Sequence, residues 1–220
     1  DDLPGAVEAL SAAILRLPRR VDLLLRRIEL LRELGSVAAL QRCVTEAVAA
    51  IPAHPELRVL AASASYLQGD MEGASAHVNA ALAADPGHLL ARTTRASYRL
   101  MARDQAGALE DVEQVLARPP SEPSALELRA RIHLARGEAR AACTDLDRAM
   151  ETAARLPTER RGLLHLRRGQ AREAREDEAG ARDDDGAGLY MGIAEMAGTP
   201  YVARLDVLVS PWGIPCNKPP

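Results

Sequence analysis

Aromatic side chains are nearly missing from this chain of 220 residues: they make up 2% of it, and phenylalanine is absent. A single-core domain of this length normally draws much of its buried area from aromatic residues. The apolar residues here are mostly alanine and leucine, which are strong helix formers. The composition excludes an aromatic-rich core and favours helices that pack closely through small side chains.

Cysteine and lysine are also scarce. The three cysteines, Cys43, Cys143 and Cys216, lie far apart, so neither a disulfide framework nor a zinc site is indicated. We expect reduced, partly buried thiols. Lys218 is the only lysine among 28 basic residues, and the net charge of −3 gives no overall attraction for nucleic acid. The sequence therefore predicts no metal site and no nucleic-acid partner.

Long apolar runs and catalytic motifs are missing as well. No run is long enough to cross a bilayer, and no signal peptide is recognisable. No glycine-rich phosphate loop or nucleophile elbow is found. We therefore expect a non-enzymatic protein without a cofactor or a membrane span. A cytoplasmic location is favoured. Because the first residue is Asp1 and not methionine, we expect a fragment or a processed product. We leave open that a targeting segment upstream of Asp1 was removed, in which case the location would differ.

What the sequence does contain is a mark that returns every 34 residues. The mark is a Gly/Asp-type pair, found at Gly35-Ser36, Gly69-Asp70, Arg103-Asp104 and Gly137-Glu138. A small or apolar residue follows each mark at the same offset: these residues are Leu40, Ala74, Ala108 and Ala142. A proline ends three of the repeats: Pro52, Pro86 and Pro120. A period of this length predicts a stack of two-helix repeats and not one catalytic domain.

Each repeat is predicted to contain a helix A, a turn at the mark and a helix B. The predicted pairs are 21–34 with 37–50, 55–68 with 71–84, 89–102 with 105–118, 123–136 with 139–154, and 158–175 with 178–190. Residues 1–18 match helix B in spacing and form a partial repeat. The fifth mark, Glu176-Asp177, comes 39 residues after Gly137, which indicates a five-residue insertion before the last repeat. The predicted organisation is a repeat array over 1–190 and a carboxy-terminal capping segment or tail over 191–220.

These marks resemble the tetratricopeptide repeat family. The second repeat matches its pattern best; counting position 1 at residue 55, the matching residues are Ala62, Gly69, Asp70, Ala74, Ala81 and Pro86. Position 1 of the other repeats falls at residues 21, 89, 123 and 162. The chain departs from the family at position 4, where the usual tryptophan is replaced in every repeat. The resemblance implies an all-α, right-handed αα-superhelix, a tetratricopeptide-like solenoid.

The resemblance also implies a ligand-binding groove lined by the A helices. In the family, positions 2, 5, 9, 12 and 13 face the concave side. In this chain the expected groove residues are Val59, Ser63, Tyr66, Leu67, Thr93, Ser97, Leu100, Met101, Glu127, Arg131 and Leu134. Such a surface suits a helical or extended protein segment with apolar anchors.

A recurring charge pair links the two helices of a repeat. An arginine at position 7 and an aspartate at position 23 occur together in three repeats, which predicts three structural ion pairs. The predicted pairs are Arg95–Asp111, Arg129–Asp145 and Arg168–Asp184. A half-buried pair of this kind fixes helix register more than it adds stability. The second repeat lacks both residues, and the first has Arg27 with Cys43.

The functional prediction is a non-catalytic adaptor or assembly scaffold that binds a protein or peptide segment. The chain's own tail or another copy of the chain are alternative occupants of the groove. The alternative function is a regulatory domain of a larger protein whose catalytic or DNA-binding part lies elsewhere. For the tail, apolar residues such as Tyr201, Leu205 and Trp212 either cap the last repeat or mimic a ligand.

Overall fold

The structure is a computed structural model that describes residues 2–119, 122–151, 156 and 158–177. Over these ranges the chain forms ten α-helices and no β-strand. In chain order they are α1 (Leu3–Arg16), α2 (Val21–Glu33), α3 (Val37–Ala50), α4 (Pro55–Leu67), α5 (Met71–Ala84), α6 (Leu89–Met101), α7 (Gln105–Leu116), α8 (Pro123–Ala135), α9 (Ala139–Glu151) and α10 (Thr158–Glu173).

Wherever the structure describes them, the helices begin and end close to the predicted residues. Every observed boundary lies within three residues of the predicted one, as for α7, which is predicted to end at 118 and ends at Leu116. The predicted last helix, 178–190, and the tail, 191–220, lie outside the described residues. The alternation of A and B helices thus follows from the 34-residue pattern.

The described helices belong to two compact units, residues 2–94 and 95–177, with the boundary inside α6. In the first unit α1 packs on α2, and α3 packs on both α2 and α4, while α4 and α5 form a closely packed pair. In the second unit α8 packs on α7 and α9, and α10 packs mainly on α9.

The core of each unit is built from aliphatic and small side chains. In the first unit Leu24, Ile28 and Leu57 are buried with Val44 and Ala47. In the second unit five alanines of the core clusters are completely buried: Ala96, Ala108, Ala130, Ala142 and Ala171. Small side chains at these points let the helix backbones approach closely, which explains how the repeats pack without phenylalanine.

The mark at the end of each A helix is a left-handed turn. Gly35, Gly69 and Gly137 have φ angles of 67°, 80° and 76°. This conformation is costly for a residue with a Cβ atom, so glycine is the natural choice. Arg103 in the third repeat and Glu176 in the fifth adopt the same conformation, with φ angles of 63° and 67°. The turn therefore favours glycine, and two repeats accommodate a side chain there.

Side chains also fix where the helices start. Asp70 and Asp104 each accept a hydrogen bond from the backbone N–H three residues later, at 2.8 and 2.9 Å. His88 does the same before α6, because its Nδ1 atom accepts from the Ala91 N–H at 3.1 Å. Pro55 and Pro123 occupy the first position of their helices, where a missing N–H costs nothing.

Candidate functional site

In the first compact unit, the predicted groove residues divide into open and buried positions. Tyr66 and Leu67, at the end of α4, are half-buried, as is Thr93 on α6. The Thr93 hydroxyl donates to the Leu89 carbonyl at 2.9 Å, so it already has a partner within its own helix. These three residues keep part of their surface accessible to a ligand.

The structure corrects the predicted groove surface at Val59 and Ser63. Their exposed fractions are 0% and 1%, and the Ser63 hydroxyl donates to the Val59 carbonyl at 3.2 Å. All residues from Val59 to Ser63 are buried. Since successive helical residues point in different directions, α4 is covered on more than one face here. Positions 5 and 9 of this repeat therefore offer no open surface.

The second compact unit shows the same division. Ser97, Leu100, Arg131 and Leu134 are half-buried, and Met101 is exposed. Glu127 is the exception, because only 7% of it is exposed. Its carboxylate lies 3.6 Å from the Arg160 guanidinium on α10. Burial of a carboxylate requires a partner, so Glu127 has a structural contact where a ligand contact was predicted.

An apolar cleft lies between α3 and α4 in the first unit. Six of its seven lining residues are apolar, and Gln41 is the seventh. The lining residues are Val37, Leu40, Gln41, Val44, Leu60, Ala64 and Leu67. Leu67 belongs to the predicted groove set, whereas the α3 residues come from a B helix. A pattern based on A helices alone had no means of including them.

The arginine and aspartate of the third repeat lie in direct contact. Arg95 grips Asp111 with two hydrogen bonds, Nε to Oδ2 at 2.8 Å and Nη2 to Oδ1 at 2.7 Å. The Asp111 side chain is 1% exposed and that of Arg95 is 25% exposed. Hydrogen bonding to Asp111 raises the pKa of Arg95 above its already high value. The pair connects α6 to α7 as a buried, charge-assisted clamp.

The fourth repeat has the same clamp. Arg129 donates to Asp145 through Nε at 2.8 Å and Nη2 at 2.6 Å. Hydrogen bonding to Asp145 raises the pKa of Arg129. For the fifth repeat, Asp184 lies outside the described residues. The predicted pair is therefore untested, and among the described residues Arg168 lies with Nη1 3.4 Å from the Asp147 carboxylate on α9.

These aspartates have a further partner at position 11 of the repeat. The sequence pattern did not predict it. Arg99 contacts Asp111 at 2.9 Å and lies 3.7 Å from Asp104. In the next repeat the corresponding residue is His133, whose ring lies 3.8 Å from Asp145 and 2.6 Å from Glu138. Position 11 thus connects the acid at the start of helix B with the acid in its middle. Comparing position 11 between repeats would have revealed it.

The thiols described by the structure, Cys43 and Cys143, are buried. Burial raises the pKa of both Cys43 and Cys143, which keeps them in the protonated, unreactive form. Cys216 lies outside the described residues. Among the residues that are described, no group of three or more His, Cys, Asp and Glu side chains is placed to hold a metal ion. No described helix is both long and apolar enough to cross a membrane.

Comparison with known proteins identifies the fold. No protein-family model and no curated protein matches the sequence. Among solved structures, a chain of the APC/C hetero-tetramer Cut9–Hcn1 is similar with a TM-score of 0.76 at 12% identity, over 88% of this chain and 38% of that one. PilW, a type IV pilus biogenesis factor, is similar with a TM-score of 0.72 at 18% identity, over 89% and 88% of the two chains.

A third similar structure carries the repeat in its name. It is a tetratricopeptide repeat protein from Parabacteroides merdae, with a TM-score of 0.68 at 20% identity over 94% of this chain and 77% of that one. The chain therefore has the all-α solenoid fold of tetratricopeptide repeat proteins, as the 34-residue marks predicted. This chain spans 38% of the length of the first of these similar chains.

Proposed function

We propose that this chain is a non-catalytic adaptor or assembly scaffold that binds a segment of another protein. The apolar cleft between α3 and α4 is the observation that carries this proposal. Leu67 borders the cleft, and the half-buried Tyr66 lies next to it in sequence. The cleft is shallow, with room for about one water molecule. It therefore suits a segment that lies across it with apolar side chains and pairs its own backbone groups, as a helix does.

The second compact unit offers a separate surface of related chemistry. Leu100 and the exposed Met101 end α6, and Arg131 and Leu134 lie on α8. Methionine adapts its shape to different apolar partners. A ligand with apolar anchors therefore fits this surface best.

The similar structures support a role in assembly and not in catalysis. One belongs to a hetero-tetramer, and another is a pilus biogenesis factor. At identities of 12% and 18%, the similarity shows a shared fold and does not extend to the partners of those two proteins. A scaffold whose ligand differs from theirs is consistent with the low identity.

Affinity capture with matched variants tests the proposal. We expect Leu67→Arg and the double variant Thr93→Arg/Ser97→Arg to lose partners that the unaltered chain retains, because each adds a buried or half-buried charge to the proposed surface. Ala83→Arg adds the same charge at an exposed position of α5 and serves as the control. Thermal melting establishes that each variant is folded. If folded variants keep every partner that the control keeps, these surfaces are not the binding site.

A further inference from the structure

The apolar cleft between α3 and α4 has a counterpart in the second compact unit. The residues two repeats after those that line the cleft lie on α7 and α8. They are Gln105, Ala108, Leu109, Val112, Leu128, Ile132 and Ala135. Five of the seven belong to one hydrophobic cluster or pack against it. The α3–α4 and α7–α8 interfaces can therefore be compared residue by residue.

The two interfaces differ at the floor of the cleft. Position 10 of the repeat is Ala64 in α4 and Ile132 in α8. Ile132 is completely buried in its cluster, whereas Ala64 is half-buried. The larger side chain of isoleucine fills the space between the helices, as close packing requires. The α3–α4 cleft therefore corresponds to the place that a branched aliphatic side chain occupies between α7 and α8.

The two interfaces also differ at the mouth of the cleft. Position 17 is Val37 in α3 and Gln105 in α7. Gln105 ties α7 to the end of α8, because its Nε2 atom donates to the Ala135 carbonyl at 3.0 Å. Val37 is 44% exposed and has no polar atom in its side chain. The apolar wall of the α3–α4 cleft therefore meets solvent, and an apolar side chain that covers it is favoured.

The size of the cleft limits what can occupy it. Room for about one water molecule admits the tip of one branched aliphatic side chain and excludes an aromatic ring. One anchor of this size buries little area, so a separate chain that relied on it alone would bind weakly. A tethered segment needs less affinity, because its effective concentration reaches roughly the millimolar range. A segment of the same chain can therefore occupy the cleft with a single anchor.

One segment beyond the described residues has the required chemistry. Residues 202–209 read VARLDVLV, and they form the stretch after residue 177 that is richest in aliphatic side chains. Three of them, Val202, Val207 and Val209, are branched at Cβ like isoleucine. The connection over residues 178–201 can extend over roughly 80 Å. The chain thus carries its own source of branched aliphatic anchors on a long tether.

We infer that the segment 202–209, hereafter the tail anchor, docks into the α3–α4 cleft of its own chain. One of its valines takes the place that Ile132 has between α7 and α8. The inference rests on the proposed function, because it gives the cleft an internal competitor. A partner segment binds there only when the tail anchor leaves, so the contact is autoinhibitory.

Thiol labelling in the full chain tests this contact. Gln41→Cys places a reactive group on the cleft wall, and Cys216→Ser removes the thiol of the tail. Adding Val207→Asp/Val209→Asp is expected to raise the labelling rate at position 41 at least fivefold, because charged side chains do not enter an apolar cleft.

Two controls accompany the labelling. Asn217→Asp adds a charge outside the tail anchor and is expected to leave the rate unchanged. The buried Cys43 and Cys143 remain unlabelled in a folded chain, which mass spectrometry verifies. A rate at position 41 that is the same with and without the two aspartates overturns the proposal.

Filling the cleft tests the contact from the other side. Ala64→Ile supplies the side chain that Ile132 provides between α7 and α8. Amide hydrogen exchange over residues 202–209 is expected to become at least tenfold faster in this variant and to stay unchanged in Ala83→Ile, at an exposed position of α5. Protection that persists in Ala64→Ile overturns the proposal. Protection that falls on dilution identifies the tail of a second copy and overturns it as well.

These measurements involve no partner protein. A negative result therefore contradicts the tail anchor alone. An unchanged set of captured partners in the Leu67→Arg variant contradicts the proposed function instead, so the two failures are distinguishable.

Discussion

The guanidinium of Arg58 lies 3.1 Å from Nδ1 of His77, with the arginine on α4 and the histidine on α5. Arg58 can only donate, so Nδ1 accepts the hydrogen bond and the ring is neutral in this contact. This is the repeat in which both the position 7 arginine and the position 23 aspartate are missing. Position 7 is the buried Ala61, and the arginine reaches position 23 from position 4 instead. The second repeat therefore also has a contact between an arginine and the residue at position 23, but this arginine is at position 4.

The first prediction concerns the pH dependence that His77 creates. Burial lowers the pKa of His77, the Arg58 charge lowers it further, and Asp70 opposes both. The folded state thus binds the proton less tightly than the unfolded state. The stabilisation is complete above the ordinary histidine pKa of 6.5 and is lost as the pH falls toward the lower folded value.

Urea unfolding at pH 7.5 and pH 5.5 checks this prediction. The unaltered chain is expected to lose more unfolding free energy between the two pH values than His77→Gln, which keeps a hydrogen-bonding side chain but cannot titrate. Equal losses in the two proteins would show that His77 does not contribute to the pH dependence.

The second prediction compares Arg95→Met with Arg129→Met. Without Arg95, the buried Asp111 retains Arg99 at 2.9 Å. Without Arg129, the only charged partner that Asp145 retains among the described residues is the His133 ring at 3.8 Å. We expect Arg95→Met to cost about 2 kcal/mol and Arg129→Met about 3–5 kcal/mol, the cost of an uncompensated buried charge. Urea denaturation measures both values, and Arg129→Met/Asp145→Leu should recover most of the loss. Equal costs for the two single variants contradict the role assigned to Arg99.

The third prediction concerns the left-handed turn at Arg103. Its φ of 63° costs a residue with a Cβ atom about 1–2 kcal/mol, whereas glycine loses about 0.5–1 kcal/mol of unfolded-state entropy. Arg103→Gly is therefore expected to stabilise the chain by about 0.5–1 kcal/mol, which raises the Tm in a thermal melt. Arg103→Ala removes the same side chain but keeps the Cβ atom, so it should bring no gain. A gain of similar size in both variants would assign the effect to the arginine charge.

The fourth prediction concerns the helix cap at His88. Its Nδ1 accepts the Ala91 N–H hydrogen bond, so His88→Ala leaves that donor without its side-chain partner. We expect a loss of about 1 kcal/mol in unfolding free energy, typical of a lost N-cap. His88→Asn provides another side-chain acceptor and should retain most of the stability. If asparagine is as destabilising as alanine, the histidine contributes through packing and not through the cap.

Much of the fold could be predicted because the repeats share the same local sequence signals for helix ends and helix starts. The marks at Gly35, Gly69 and Gly137 encode a backbone conformation, and the capping residues Asp70 and Asp104 encode a helix start. These are local effects that depend on neighbouring residues in the chain. Repetition at a fixed spacing then gave the helix boundaries to within three residues.

The candidate site was less predictable because exposure depends on neighbouring helices. Val59 and Thr93 occupy the same position of successive repeats, yet Val59 is buried and Thr93 is half-buried. The residues that flank Val59 and Thr93 in the sequence do not predict this difference in burial. Likewise, the contribution of Val37 and Val44 to the apolar cleft depends on how α3 meets α4.

The sequence by itself determined the helix pairs, their turns and the positions that approach one another within a repeat, since these follow from backbone conformation and a fixed period. Only the tertiary structure decided which side chains stay open to a partner. Arg58 could substitute for a missing position 7 arginine because its long side chain reaches from α4 to His77 on α5. This contact depends on the distance between two helices, which a one-dimensional pattern does not contain.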